Sequence, residues 1–289
     1  MELDEIFNHY AEKMTQIYLY QRAMKALAQK ELEKLHKFGE AVKDNPKYKD
    51  RPSSIHNMSF RRAIDGENVF FGQSLMSIDE RKRSVVLHKN KQYQWLLAEA
   101  YEEFEDCLEG LWAYFGFKDT ENWPLQDFGN IRLAELSGKD FEWFQRKAAK
   151  KKGAPSSIIN TFRREFPEIQ SVEKENKLGV NLYLAITLIE KVRHVVVHKG
   201  GVVEDKDGFF RSVLEGCGLF NSGNPETENE DFVKAVFGGG QYSNHIILLE
   251  IPTDPEVPLD THINLFDVMG GYMMAYIDII VGVLRSHNK

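Results

Sequence analysis

Two histidines and an arginine fall within six residues at Arg193-His194-Val195-Val196-Val197-His198, and Lys199-Gly200-Gly201 follow at once. These residue types handle protons and anions. An imidazole titrates near neutral pH and can act as a general acid or base. A guanidinium stabilises negative charge that develops on an oxyanion. In a helix, His194 and His198 lie one turn apart on one face, whereas Arg193 and His198, five apart, point well away from each other. One helix therefore makes a poor pocket by itself. Other readings stay open for the same residues. A histidine at a helix C-terminus is stabilised as a cation by the helix dipole with no catalysis involved. Two histidines four apart can be half of a metal site, but no third ligand is evident and no metal is expected. Arg193 can cap carbonyls or pair with Glu190.

Spacing alone carries little weight, because Arg83-Ser84-Val85-Val86-Leu87-His88 repeats it by chance. That copy lacks a polar residue after the arginine and a glycine stop. It is read as the start of a strand or helix. The second copy differs in its setting. Residues from about 176 to 197 are expected to form a central helix, with Leu178, Leu182, Ile186, Ile189, Val192 and Val196 on one stripe and Leu184, Leu188 and Val195 extending it. A helix this apolar is buried by its neighbours. It delivers the arginine and histidines at its C-terminal end, where Gly200 or Gly201 suits the left-handed cap conformation.

Other helices must surround it. Residues 3 to about 43 read as one long helix: Phe7, Tyr10, Met14, Ile17, Gln21, Met24, Ala28, Glu31, Leu35, Phe38 and Val42 alternate spacings of three and four. The seam fits a partner or dimer helix and a helix packed along its own domain about equally. Gln92 to Phe115 carries an apolar face of Leu97, Ala100, Tyr101, Phe104, Leu108, Leu111 and Phe115. Glu99, Glu102, Glu103, Glu105, Asp106 and Glu109 crowd its remaining surface, which reads as a solvated acidic face. Residues 264–286 are expected to close the fold as a buried bundle helix, since Asp267 and Asp278 would be costly in lipid. Residues 116–140 read as irregular. Phe141–Lys152 and a segment from Ser156 or Ser157 to Phe166 read as short helices, the second capped by one of those serines.

Smaller features complete the chain. A β-hairpin is expected at 58–71, turning at Asp65-Gly66. Gly208–Leu214 and Asn244–Ile251 have strand-like content within an insertion at about 202–260. The basic clusters Lys150, Lys151, Lys152 and Arg163, Arg164, with Lys199, are weak candidates for tracking a phosphate backbone. Taken alone, each cluster reads slightly better as a solvated helix end.

The residues Arg193, His194 and His198, set in this order of helices, resemble the HEPN superfamily, whose ribonuclease members carry Arg-polar-x3-His in mainly α-helical domains. The resemblance covers roughly residues 90–286. It implies a mainly α fold, an antiparallel helical bundle, to which the patterning of the chain itself adds the long N-terminal helix and small β-hairpin insertions. The chain is accordingly divided into residues 1–80, a possible assembly region that the resemblance does not cover, and residues 81–289, the HEPN-like domain. It also implies metal-independent RNA cleavage by the ribose 2′-OH at a composite homodimer site, needing no cofactor. His198 would be general base or acid, Arg193 would stabilise the phosphorane-like transition state, and His194 would orient the phosphate or Arg193. Two facing copies would bring both arginines and the histidines around one phosphate. Family members are often toxins or phage-defence effectors, so an antitoxin or other protein partner is a further expectation.

Composition sets bounds on these readings. The 289 residues are 42% hydrophobic and 28% charged, ordinary globular values, and the net charge of −7 excludes wholesale nucleic-acid affinity driven by charge. Two distant cysteines, Cys107 and Cys217, form no disulfide or zinc pattern, and the acidic start has no apolar signal core. A cytoplasmic protein without a membrane anchor is expected. The acidic charge favours one alternative, a non-catalytic HEPN-like module binding nucleotide, RNA or a partner protein. A second alternative is an unrelated helical structural protein in which the motif is only a capped helix end.

Overall fold

The central helix begins where an asparagine can cap it. In the computed structural model, which describes residues 2–45, 54–55, 58–72, 74–121, 123, 131–151, 153–220, 227–252 and 262–287, the Asn181 side chain accepts a hydrogen bond from the Leu184 amide at 3.1 Å and the helix runs from Leu182 to Lys199. The start lies later than the apolar pattern implied, and Leu178 is left exposed ahead of it. Eleven of the 18 residues are buried, each large aliphatic contributing about 1.5–3 kcal/mol. The helix ends at Gly200 and Gly201, with φ of 64° and 85°, whose amides both turn back to the Val195 carbonyl. The Gly-Gly stop therefore forms as the sequence indicated.

Numbered in chain order, the helices are α1 (Leu3–Val42), α2 (Ile78–Lys118), α3 (Phe141–Ala148), α4 (Ser156–Glu165), α5 (Glu168–Lys174), α6 (Leu182–Lys199), α7 (Lys206–Gly216), α8 (Thr227–Lys234) and α9 (Leu265–His287). The strands are β1 (Ser54–Ile55), β2 (Met58–Arg61), β3 (Asn68–Phe71), β4 (Leu75–Met76), β5 (Glu250–Pro252) and β6 (His262–Asn264), paired as three separate two-stranded antiparallel ribbons. The fold is mainly α, as expected.

Several elements depart from the sequence reading. Helix α2 starts fourteen residues before Gln92, because Ser77 and Glu80 form a reciprocal capping box: the Glu80 amide donates to Ser77 Oγ at 3.2 Å and the Ser77 amide to Glu80 Oε2 at 2.7 Å. The chance copy Arg83–His88 thus lies inside a helix, with both side chains exposed. Gly208–Leu214 is helical, not extended, because Asp205 accepts from the Gly208 amide at 2.9 Å and starts α7. The 202–260 insertion is accordingly more helical than its strand-like content suggested. The serines Ser156 and Ser157 fall inside the first turn of α4 and do not cap it; Ser156 Oγ instead donates to Glu190 Oε2 at 2.9 Å.

The chain divides into two compact units, Met1–Leu19 with Tyr93–Lys289, and Tyr20–Gln92. The division falls within α1 and α2, where the sequence reading had placed a break near residue 80. In the larger unit, the expected apolar face of α2 is buried in full, together with Trp112 and Trp123, whose rings lie 5.5 Å apart. Helix α9 is long and apolar enough to cross a membrane by length and composition. Its Phe266, Met273, Tyr276, Ile277 and Ile280 are nevertheless buried in the core shared with α6. In the smaller unit, Gln21, Ala28 and Leu35 of the α1 seam are buried, and Arg81 pairs with Glu31 at 3.6 Å. Its hairpin aligns Met58 with Phe71 and Phe60 with Val69. The turn follows the predicted Asp65-Gly66, with Gly66 at φ 72°.

Candidate functional site

Helix α6 carries the motif, and its faces separate the three side chains. His194 and His198 stand together on the exposed face, ring centroids 4.6 Å apart with planes at 51°. Val197 and Lys199 beside them are also exposed. Two imidazoles this close cannot both hold a proton without repulsion. The His194 imidazole is held below its usual range, first by desolvation and then by the nearby His198, Lys191, Lys199 and Arg193. The His194 ring is thus biased toward its neutral form, which can accept a proton.

Arg193 turns the other way. Its Nη2 meets Glu102 Oε1 of α2 at 3.4 Å, and its Nε is buried without a hydrogen-bond partner among the described residues. It pairs with Glu102 rather than with Glu190. Glu190 stays within electrostatic reach of the same region, where it and Glu105 act on the buried Tyr101 hydroxyl. Burial raises the Glu105 carboxyl and the Arg193 charge partly offsets this. The arginine therefore sits in an acidic surround, and part of the α2 surface that read as solvated glutamates is its counter-charge. The sequence showed these glutamates; their pairing with a residue 91 positions away did not show.

The weaker candidates divide. Arg163 is built into the core: its Nε donates to Glu173 Oε2 at 3.0 Å, its guanidinium lies 3.7 Å over the Tyr183 ring, and the Tyr276 hydroxyl completes the network by donating to Glu173 Oε1 at 2.6 Å. Glu173 is 1% exposed, so Arg163 is held as its counter-ion and cannot serve as a free phosphate contact. Arg164 is exposed and pairs with Glu165 at 2.8 Å. Lys150 and Lys199 are exposed, and Lys151 lies 4.9 Å over the Trp112 ring. Lys152 lies outside the described residues. Helix α4 runs antiparallel to α6, since Ser156 meets Glu190 while Asn160 meets the Tyr183 hydroxyl. Arg163 and Arg164 are thereby at the far end of α6 from the histidines, a rise of about 16 Å from Tyr183 to His194.

Gln94 ties the histidine end of α6 to the rest of the unit. Its Nε2 donates to the Ile246 carbonyl at 2.7 Å, and the Ile246 amide donates to the Gly201 carbonyl at 2.9 Å. Gly201 lies so close to Gln94 that a Cβ there would stand 2.5 Å from Nε2. Among the described residues, no group of three or more His, Cys, Asp or Glu converges as a metal site. No family model, curated protein or solved structure matches the chain.

Proposed function

We propose that the chain is a metal-independent endoribonuclease whose site is the exposed His194–His198 pair, completed by a second copy of the same chain. The close pairing of the two imidazoles on an open helix face carries this reading. In the reaction, one imidazole takes the proton of the ribose 2′-OH as its oxygen attacks phosphorus. The P–O5′ bond breaks, and a protonated imidazole returns a proton to the leaving 5′ oxygen. The products are a 2′,3′-cyclic phosphate and a 5′-OH. In-line displacement needs the base and the acid on opposite sides of phosphorus. His194 and His198 stand on one side, so the facing pair comes from a second protomer. Arg193 joins the site only if the phosphate draws it from Glu102, a partly exposed pair at 3.4 Å of small worth. A toxin or phage-defence role, with an antitoxin as partner, belongs to the same proposal.

The alternative, a non-catalytic module holding RNA, a nucleotide or a protein partner, is favoured by one observation: Arg193 is already paired with Glu102 of its own chain. Incubation with structured and single-stranded RNA in EDTA separates the two. Wild type should cleave, and His198→Ala and His194→Ala should each lose about 10²–10⁴-fold. Equal background in wild type and variants would refute the enzyme; retention of RNA without cleavage would establish the alternative.

A further inference from the structure

The sequence has nine histidines, and His194 and His198 alone stand within about one helical turn of each other along the chain. Both lie on the exposed face of the last turns of α6, ring centroids 4.6 Å apart. Neither ring has a hydrogen-bond partner among the described residues. Rotation of a histidine ring about χ2 is broad, so each ring is free to turn one nitrogen toward the space between them. A metal ion bound by one nitrogen of each ring would stand about 2.1 Å from that nitrogen and about 3.2 Å from the ring centre. Centroids 4.6 Å apart subtend about 90° at such a point. That is the angle between neighbouring ligands in square-planar and octahedral coordination, the geometry of Cu²⁺ and Ni²⁺ sites. Opening to the tetrahedral angle of zinc needs the rings only about 0.6 Å farther apart.

The surround selects the kind of ion. Lys191, Lys199 and Arg193 lie within electrostatic reach of His194, so no net negative charge draws a cation in. Mg²⁺ and Ca²⁺, which take oxygen ligands, do not fit. A neutral imidazole offers its lone pair to Cu²⁺, Ni²⁺ or Zn²⁺ and needs no carboxylate beside it. Desolvation first, and then His198 and the three cations, hold the His194 ring below its ordinary range, so protons compete little for its nitrogen at neutral pH. The carbonyl end of α6, whose dipole favours positive charge, lies in the same turn. Among the described residues no group of three or more His, Cys, Asp or Glu includes the pair, which leaves the other coordination positions to water.

We propose that His194 and His198 together chelate a divalent first-row transition-metal ion, and that the bound metal switches off the RNA cleavage assigned to the pair. The metal occupies one nitrogen of each ring, the lone pairs that would take the proton of the 2′-OH, so the attacking oxygen keeps its proton. Removal of the metal returns both nitrogens. The chelation stands on the geometry of the pair alone; the switch rests on the nuclease reading.

Calorimetric titration of the full chain with nickel and copper(II) chloride, in a buffer that does not bind metals and with magnesium chloride as control, tests the chelation. One-site binding is expected, tighter for Cu²⁺ than for Ni²⁺ and absent for Mg²⁺. His194→Ala and His198→Ala should each weaken it about 10²-fold, the gain that a second tethered ligand supplies. His88→Ala, which removes an exposed single histidine of α2, should leave it unchanged. The copper-bound chain should show electron paramagnetic resonance couplings from two imidazole nitrogens. No binding, equal binding of Mg²⁺, or Ni²⁺ and Cu²⁺ affinities unchanged in both variants would overturn the proposal. For the switch, cleavage of RNA by wild type should stop at the Ni²⁺ concentration that saturates the pair and return with EDTA. Cleavage that continues with the pair saturated would overturn the switch. Metal binding that needs both histidines, in a chain that never cleaves RNA, would establish the chelation and refute the nuclease reading together with its switch.

Discussion

Replacing Gly201 with alanine perturbs the junction that holds the histidine end of α6. Two costs follow from the structure. Gly201 has a φ of 85°, and an L-residue there costs roughly 1–2 kcal/mol. The added Cβ would stand 2.5 Å from Gln94 Nε2 and 2.6 Å from Oε1, so the Gln94 amide must swing away. That breaks its 2.7 Å bond to the Ile246 carbonyl at a buried position, costing about 1–3 kcal/mol. The sum is about 2–5 kcal/mol. Urea denaturation followed by tryptophan fluorescence measures it. Gly179→Ala isolates the conformational part, since Gly179 has φ +68° and open space around it, and should cost only about 1–2 kcal/mol. In a Gln94→Ala background the crowding is absent, so Gly201→Ala should there cost no more than Gly179→Ala. The coupling between Gly201→Ala and Gln94→Ala should be about 1–3 kcal/mol. A Gly201→Ala cost below about 0.5 kcal/mol, or strictly additive substitutions, would refute this account.

Two further outcomes follow. Arg163→Ala leaves the Glu173 carboxylate buried without its cation and should cost about 3–5 kcal/mol in urea denaturation, whereas Arg164→Ala, removing an exposed pair, should cost less than about 1 kcal/mol; equal effects would mean that the buried network is not formed. The His194 imidazole is held low in the folded state, so the unfolded chain binds protons more readily below its ordinary range. Stability from this residue is therefore fully present above about pH 6.5 and declines as pH falls through the lower folded value. His194→Gln should flatten that part of the stability–pH curve between pH 7 and 5, and an unchanged slope would contradict it.

The local elements were legible where their signals are local. The long α1, the apolar face of α2, the hairpin turn at Asp65-Gly66 and the glycine stop at Gly200-Gly201 depend on residues a few positions apart. The Ser77–Glu80 capping box and the Asp205 cap of α7 are signals of the same local kind. Without that cap, the apolar and aromatic residues of 208–214 suggest a strand, because their content suits either state.

The sequence by itself determined which side chains share a helix face. At 3.6 residues per turn, His194 and His198 must be neighbours and Arg193 must diverge, and the structure has both. Tertiary structure alone decided what each face meets. Arg193 turned to Glu102 rather than to Glu190, Arg163 became the counter-ion of a buried glutamate, and Glu103, Asp106 and Glu109 of an apparently solvated acidic face came to line a cleft. Charge pairing and burial are set by distance in space, and residues 91 positions apart in the chain carry no local mark of it.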